Sequence, residues 1–505
     1  MRKLHKRTMP DTLQEPELLN KRRFRGLEDH MRGVLAAQRQ ASEKLTEKAI
    51  HRLRVSLRAC GSVADCMREL DDHPAWRLMR KRARSLFKSV GALRDVHVLE
   101  GRVKQLSAVR DSVSRRLLRT LAQRQIEAEK LARRALEQFD RKLWRRWLDI
   151  LPKRSARIVL GDPAFEQLAL QRWTEAETSH YAALEKRSRD AYHDLRIAIK
   201  RFRYTVASFL PQRAQEWGRD LRRVQNILGE VHDLDLVDQI VKRHKSIKPG
   251  AKKRWRQHIE REIQSRLTRY RKLSLGEQSL WSIWRAGLPG DTHLHESAVA
   301  RLAAWAQYRD PEPGHTAHVA RLSLQLFDAL RAARLREPFN DDKARHDLEA
   351  ATFLHNIGAN PAKGRHKRAA RLIRELAAPI GWSRFEMDTI ADIVRYHRGA
   401  EPQTSHRRFA ARPPEQQQAI ARLAGVLRLA VALDAARDQS VKGLALEVSP
   451  EAIMVRAEGF NEHSENATAV ETAKTLLETS LDRLVLVKAV DYIAQPVHAA
   501  AEEEE

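Results

Sequence analysis

Cysteine is nearly missing: only Cys60 and Cys66 occur in 505 residues. That excludes a disulfide framework and points to a reducing compartment. No apolar run approaches the ~20 residues of a membrane-spanning helix. The N-terminal "MRKLHKRTMP" is basic but has no apolar core, so it does not read as a secretory signal. Proline is scarce over long stretches, and few turns interrupt residues 22–150 and 165–285. A soluble, cytoplasmic chain without a membrane partner is the expectation.

What is present is positive charge, unevenly placed. The net formal charge is +28. Residues 1–300 hold 66 Lys+Arg against 37 Asp+Glu, and residues 301–505 hold 28 against 29. The whole excess lies before residue 300, which suggests one part that meets a polyanion and another with a different task. With 42% hydrophobic residues, the chain can build two to four domains with sizeable cores.

The Leu, Ala, Arg, Glu and Gln of residues 22–150 and 165–285 recur with a 3.6-residue period, which predicts long amphipathic helices. "LPKRSARIVLGDPAF", 151–165, reads as a joint between two bundles, and "AGLPGDTHLHES", 286–297, as a linker. A second helical region follows to about 440. "LALEVSPEAIMVRAEG", 444–459, predicts a short β-hairpin about its Ser-Pro turn. "ETAKTLLETSLDRLVLVKAVDYI", 471–493, is expected to resume as helix, before a frayed acidic tail.

The basic region repeats itself. "HRLRVSLRACGSVADCM" (51–67) aligns without gaps on "HDLRIAIKRFRYTVASF" (193–209), pairing His51 with His193, Arg54 with Arg196 and Arg58 with Lys200. Each copy is followed by a second matching phrase, "VGALRDVHVL" (90–99) and "LGEVHDLDLV" (228–237). Between the phrases lie further cationic helices, carrying Arg77, Arg80, Arg84 and Lys88 in one copy and Arg222 in the other. Cations at i, i+3, i+7 and i+10, as in His193, Arg196, Lys200 and Arg203, step along one helix face about 5 Å per turn. Lys supplies a point charge and Arg a fork that fits phosphate oxygens. The stripes lack acidic neighbours at pairing distance, and Tyr204 is the one clear aromatic nearby. Nucleic acid suits such a surface, but the scarcity of stacking rings favours an anion made of phosphates alone.

These paired phrases resemble the conserved histidine α-helical domain, or CHAD, over roughly residues 20–285. The resemblance implies two pseudo-symmetric four-helix bundles that bind inorganic polyphosphate along a basic face. It assigns that role to His51, Arg54, Arg58, Arg77, Arg80, Arg84, Lys88, His193, Arg196, Lys200, Arg203 and Arg222. Polyphosphate near His51 and His193 would raise their pKa values and tighten binding below pH ~6.5. Association with polyphosphate granules is a further implication.

The later region holds histidine-bearing helices: "GHTAHVARLSLQLFDAL" (314–330), "ATFLHNIGANPAKGRHKRAARLIREL" (351–376), "IVRYHRG" (393–399) and "LRLAVALDAARD" (427–438). They resemble an HD-type phosphohydrolase fold and, more narrowly, the C-terminal helical domain of the exopolyphosphatase and guanosine pentaphosphate phosphohydrolase family. The HD resemblance implies metal ligands at His315 and His355. The paired Asp is replaced by Asn356, and the distant Asp falls at Val431, so the set reads as a degenerate remnant. No metal and no cofactor are expected, and no catalytic residue is assigned. His366, His397 and Asp434 are the side chains that would have to compensate. Lys363, Arg365, His366 and Lys367 stand just before a helix, where main-chain N–H groups favour phosphate.

The expected fold is mainly α. It has a basic tail (1–20), a CHAD module (21–288, repeated over about 21–150 and 165–288) and a linker (289–296). An HD-like module (297–497) and an acidic tail (498–505) follow. The expected function is polyphosphate binding without catalysis. The competing expectations are a metal-dependent phosphohydrolase of polyphosphate or guanosine polyphosphate, and a nucleic-acid binder.

Overall fold

A computed structural model describes residues 26–107, 111–335, 337–358 and 364–492. The two charged tails and Lys363 lie outside the described residues. Among those residues the chain is mainly helical, with one three-stranded sheet near its C-terminal end. No described helix is long and apolar enough to cross a membrane.

The chain divides into two compact units, and the boundaries at residues 65–66, 202–203 and 270–271 fall inside helices. The first holds α1 (Leu27–Glu43), most of α2 (Glu47–Leu70), α3 (Pro74–Leu106), α4 (Ser112–Glu137) and α5 (Arg141–Ser155). It also takes the end of α7 (Arg189–Phe209), then α8 (Pro211–Arg243) and nearly all of α9 (Pro249–Ser274). The predicted periodicity is the cause of these helices. Ile50, Leu53 and Leu57 of α2 and Val206 and Phe209 of α7 are all buried, and the cations flank these apolar stripes. Asp111 caps α4 by accepting from the N–H groups of Val113 and Ser114, and Trp255 of α9 donates to the same carboxylate at 2.8 Å. Arg102 of α3 reaches Glu230 and Asp233 of α8 at 3.6 and 3.7 Å. The two helices that carry the companion phrases, α3 and α8, therefore pack as neighbours.

The second unit holds the end of α2 and the turn after it (residues 66–73), α6 (Pro163–Lys186), α7 up to Phe202, and the described residues from 271 onward. Its helices are α10 (Leu280–Ala286), α11 (Asp291–Gln307), α12 (Pro313–Ala332), α13 (Asp342–Leu354) and α14 (Arg365–Glu375). Then come α15 (Arg384–Tyr396), α16 (Arg407–Ala410), α17 (Pro414–Ala432), α18 (Glu465–Ala473) and α19 (Thr475–Leu481). The Gly- and Pro-rich stretch near residue 290 is shorter than its composition suggests, because α11 starts at Asp291. α6 packs on α11. Gln167 donates to the Ile380 carbonyl at 2.7 Å, and Arg301 reaches Gln171 at 2.7 Å. Glu69, at the end of α2, lies between Arg301 at 3.0 Å and Arg172 of α6.

The expected hairpin forms as β1 (Gly443–Val448) and β2 (Ala452–Glu458), antiparallel, with Val448 opposite Ile453. The expected helix over 471–493 is corrected. α19 ends at Leu481, Asp482 takes a left-handed φ of 54°, and β3 (Leu484–Val490) pairs parallel with β2. "LVLVKAV" is rich in β-branched residues, and its partner β2 lies far enough away in sequence that periodicity alone could not announce it. Glu478 and Glu462 accept from the Val485 and Ala489 N–H groups at 2.9 and 3.3 Å, which blunts the strand's outer edge.

Candidate functional site

In the first unit, cations from both copies of the repeat converge around two rings. Arg54 stacks over Phe87 at 4.1 Å and donates to the Phe87 carbonyl at 3.3 Å. Arg58 lies over the same ring at 5.2 Å and donates to the Tyr204 hydroxyl at 3.1 Å. Arg203 stacks over Tyr204 at 4.4 Å and donates to Gln225 of α8 at 2.7 Å. The guanidinium groups are thus oriented before any ligand arrives, which lowers the entropy cost of binding an anion. Gly91 makes room for the first of them: a Cβ there would sit 2.4 Å from Arg54 Nη1.

Two expectations need correction here. Arg54 does have an acidic neighbour, Asp95 at 3.8 Å, because α3 carries that carboxylate across from α2. Tyr204 is not the only nearby ring, since Phe87 underlies two arginines. Each ring carries a guanidinium group over its face, which competes with stacking of a nucleic-acid base there.

The remaining positions sort by environment. Arg80 pairs with Asp65 at 2.7 Å, which offsets its charge. Arg77, Arg84, Lys88 and Arg222 are exposed and make no ion pair among the described residues. His193, Arg196 and Lys200 are half-buried on α7, in the turns that precede Arg203. Burial, with Arg94, Arg58 and Arg54 close by, holds His51 below its usual range despite Glu47. Its extra charge therefore arrives only at a lower pH than that of an ordinary imidazole in the ligand-free chain. His51 also lines a groove of about 1280 Å³ with Arg141 and Arg145 of α5, two arginines that the repeat could not flag.

The second unit holds a cleft of about 750 Å³ between α12, α14, α15, α17 and α18. Arg365, His366, Arg398, Arg428 and Arg437 line it, with His315, His397, Val431, Asp434 and Glu465. Arg365 and Arg398 make no ion pair among the described residues, and the Arg365 Nε is buried without a partner. Arg428 donates to the carbonyls of Tyr396 and Gly399 at 3.0 and 2.7 Å. Arg437 is paired with Glu312. Of the residues expected before α14, Arg365 and His366 face this cleft, and Lys367 is exposed on the same turn.

Four imidazoles step through this region. Ring centroids are 5.7 Å apart for His315 and His355, 5.3 Å for His355 and His397, and 6.5 Å for His366 and His397. His355 and His397 donate Nδ1–H to the Thr352 and Val394 carbonyls at 2.6 and 2.7 Å. Burial pulls His355 down to about 4. Burial and the adjacent His355 hold His397 well below the usual range. Burial, then Arg395, Lys367, Arg398 and Arg428, brings His366 to about 4.

These side chains do not fit an HD-type metal centre. Asn356 turns its amide to Asp310 and donates at 2.8 Å. Val431 offers no donor atom, and His315 Nδ1 is tied to Asp434 at 2.6 Å. Among the described residues, no three His, Cys, Asp or Glu side chains converge on a point that could hold a metal ion.

Residues 22–242 match the CHAD domain family. Residues 296–482 match domain III of the Ppx/GppA phosphatases. No curated protein matches the chain. The chain is a CHAD domain joined to a Ppx/GppA domain III-like module.

Proposed function

We propose that this chain binds inorganic polyphosphate through the cationic faces of α2, α3, α7 and α8, with the domain III cleft as a secondary phosphate site. Both matched families make a polyphosphate-related role consistent. The observation that carries the proposal is the convergence of Arg54, Arg58 and Arg203 around Phe87 and Tyr204. Cations from both repeats meet there, oriented over the two rings. His51, Arg77, Arg84, Lys88 and Arg222 are the further cations of this unit, and His193, Arg196 and Lys200 precede Arg203 along α7, while Arg80 is damped by Asp65. The role is binding rather than metal-assisted hydrolysis, since the HD ligand set is broken at Asn356 and Val431. In the cleft, Arg365, His366 and Lys367 supply the phosphate contacts, joined by Arg398 and Arg428.

The test is a titration of the full chain with long-chain polyphosphate at ~0.15 M salt, with duplex and single-stranded DNA as competitors. Tight binding that resists DNA at matched phosphate concentration is expected. Changing Arg196, Lys200 and Arg203 to Glu is expected to weaken it on the order of a hundredfold. Equal displacement by DNA, or indifference to the three changes, would reduce the surface to a generic basic patch.

A further inference from the structure

His315 and Asp434 form a buried dyad, apart from the cationic helices of the first unit. The His315 Nδ1 and the Asp434 Oδ2 are 2.6 Å apart, and the other carboxylate oxygen accepts the Gln439 N–H at 2.8 Å. Asp434 is fully buried and His315 nearly so, yet both line the arginine-rich cleft. A ring whose Nδ1 donates to a carboxylate keeps its proton there and presents Nε2 as a lone pair. Among the described residues, Nε2 of His315 has no hydrogen-bond partner, and it is not sealed in as the His355 Nε2 is. A nucleophilic nitrogen oriented by a carboxylate, in a cleft whose Arg365 and Arg398 are unpaired, is arranged to meet a phosphoryl group.

We propose that His315 is a phosphoryl-acceptor site, modified at Nε2 by a phosphoanhydride bound in this cleft. The Nε2 lone pair forms an N–P bond to the terminal phosphorus. The bridging P–O bond breaks, and its electrons leave on the shortened phosphate. The Nδ1 proton stays between the ring and Asp434, whose charge offsets the positive charge gained by the ring. Arg365, Arg398 and Arg428 stabilise the charge on the transferring oxygens. No other reactant is needed. Asp434 acts as a positioning residue. Where polyphosphate is the donor, the inference rests on the binding proposed above; a nucleoside triphosphate carries the same anhydride and forms the second arm.

The experiment incubates the full chain with inorganic polyphosphate or with a nucleoside triphosphate, then measures intact mass and maps any modified peptide under alkaline conditions. The expected result is one added phosphoryl group, on His315, stable in alkali and lost in acid. His315→Gln should abolish it, while the exposed His293→Gln should leave it unchanged. Asp434→Asn should slow it roughly 10–100-fold, with helical content and binding of polyphosphate retained. A label on another residue overturns the assignment, as does no label from either donor on protein that binds polyphosphate. Should polyphosphate fail to bind at all, the reading beneath falls instead, and the nucleotide arm alone decides for or against His315.

Discussion

At the scale of residues, the basic surface is shaped by orientation as much as by charge. An arginine in water samples many rotamers, and ordering it on an anion costs free energy. Arg54 and Arg58 share the face of Phe87, so part of that cost is already met on folding. Each cation–π contact of this kind is worth ~0.5–1 kcal/mol. Phe87→Leu is therefore expected to weaken polyphosphate binding a few-fold and to lower the melting temperature by no more than a few degrees, since Phe87 is only half-buried. Titration beside a thermal melt checks this; unchanged affinity would show that the ring does not orient the arginines. The repeat disclosed Arg54 and Arg58, which recur in register as Arg196 and Lys200, whereas Arg203 aligns on Gly61 and stood out only by its spacing on α7. It did not disclose Phe87, which lies on another helix and has no counterpart in the aligned phrases.

At the scale of elements, α13 and α15 end in the same way. Each places a histidine at its C-cap and turns the Nδ1–H back to a carbonyl of its last turn. These rings stay neutral in the fold, with His355 at about 4, whereas an unfolded histidine titrates near ~6.5. Between those values the unfolded chain binds more protons than the folded one, so stability is full at neutral pH and is lost as pH falls through that window. Burial gives His366 and His180 the same sign, each held at about 4. The melting temperature is expected to drop steeply from pH ~6.5 toward ~4. His355→Gln should flatten part of that slope; a flat profile in the unaltered chain would contradict the buried neutral state. The β3 strand shows the limit of element-level reading. Its residues suit a strand, but only its partner β2 makes one.

At the scale of the molecule, the two family matches do not map onto the two compact units. The second unit gathers residues 66–73 and 158–202 of the CHAD match together with the whole domain III match. Its joint is charged: Glu69 answers Arg172 and Arg301, and Arg309 donates to the Leu70 carbonyl at 2.7 Å. Removing the shared carboxylate would leave the mostly buried Arg301 without its carboxylate partner, while Arg172 keeps Glu175 at 2.6 Å. Glu69→Gln is expected to cost about 2–3 kcal/mol, below the ~3–5 of a fully buried pair because these side chains keep some exposure. Denaturant unfolding of the full chain measures it, and a change near zero would mean the joint rests on apolar packing alone. The same contacts leave a fragment starting at residue 296 with the α6-facing side of α11 uncovered.

The sequence alone determined the helical class, the repeated cationic phrases and the hairpin. Each depends on residue type and short spacing, which a single helix or turn expresses directly. Tertiary structure decided the rest. It chose which arginines are oriented, placed Asp95 beside Arg54, joined His315 to Asp434 across 119 positions, and set α6 against α11. Those pairings lie between elements far apart in the chain. Packing brings them together, and no local period encodes the distance across which they meet.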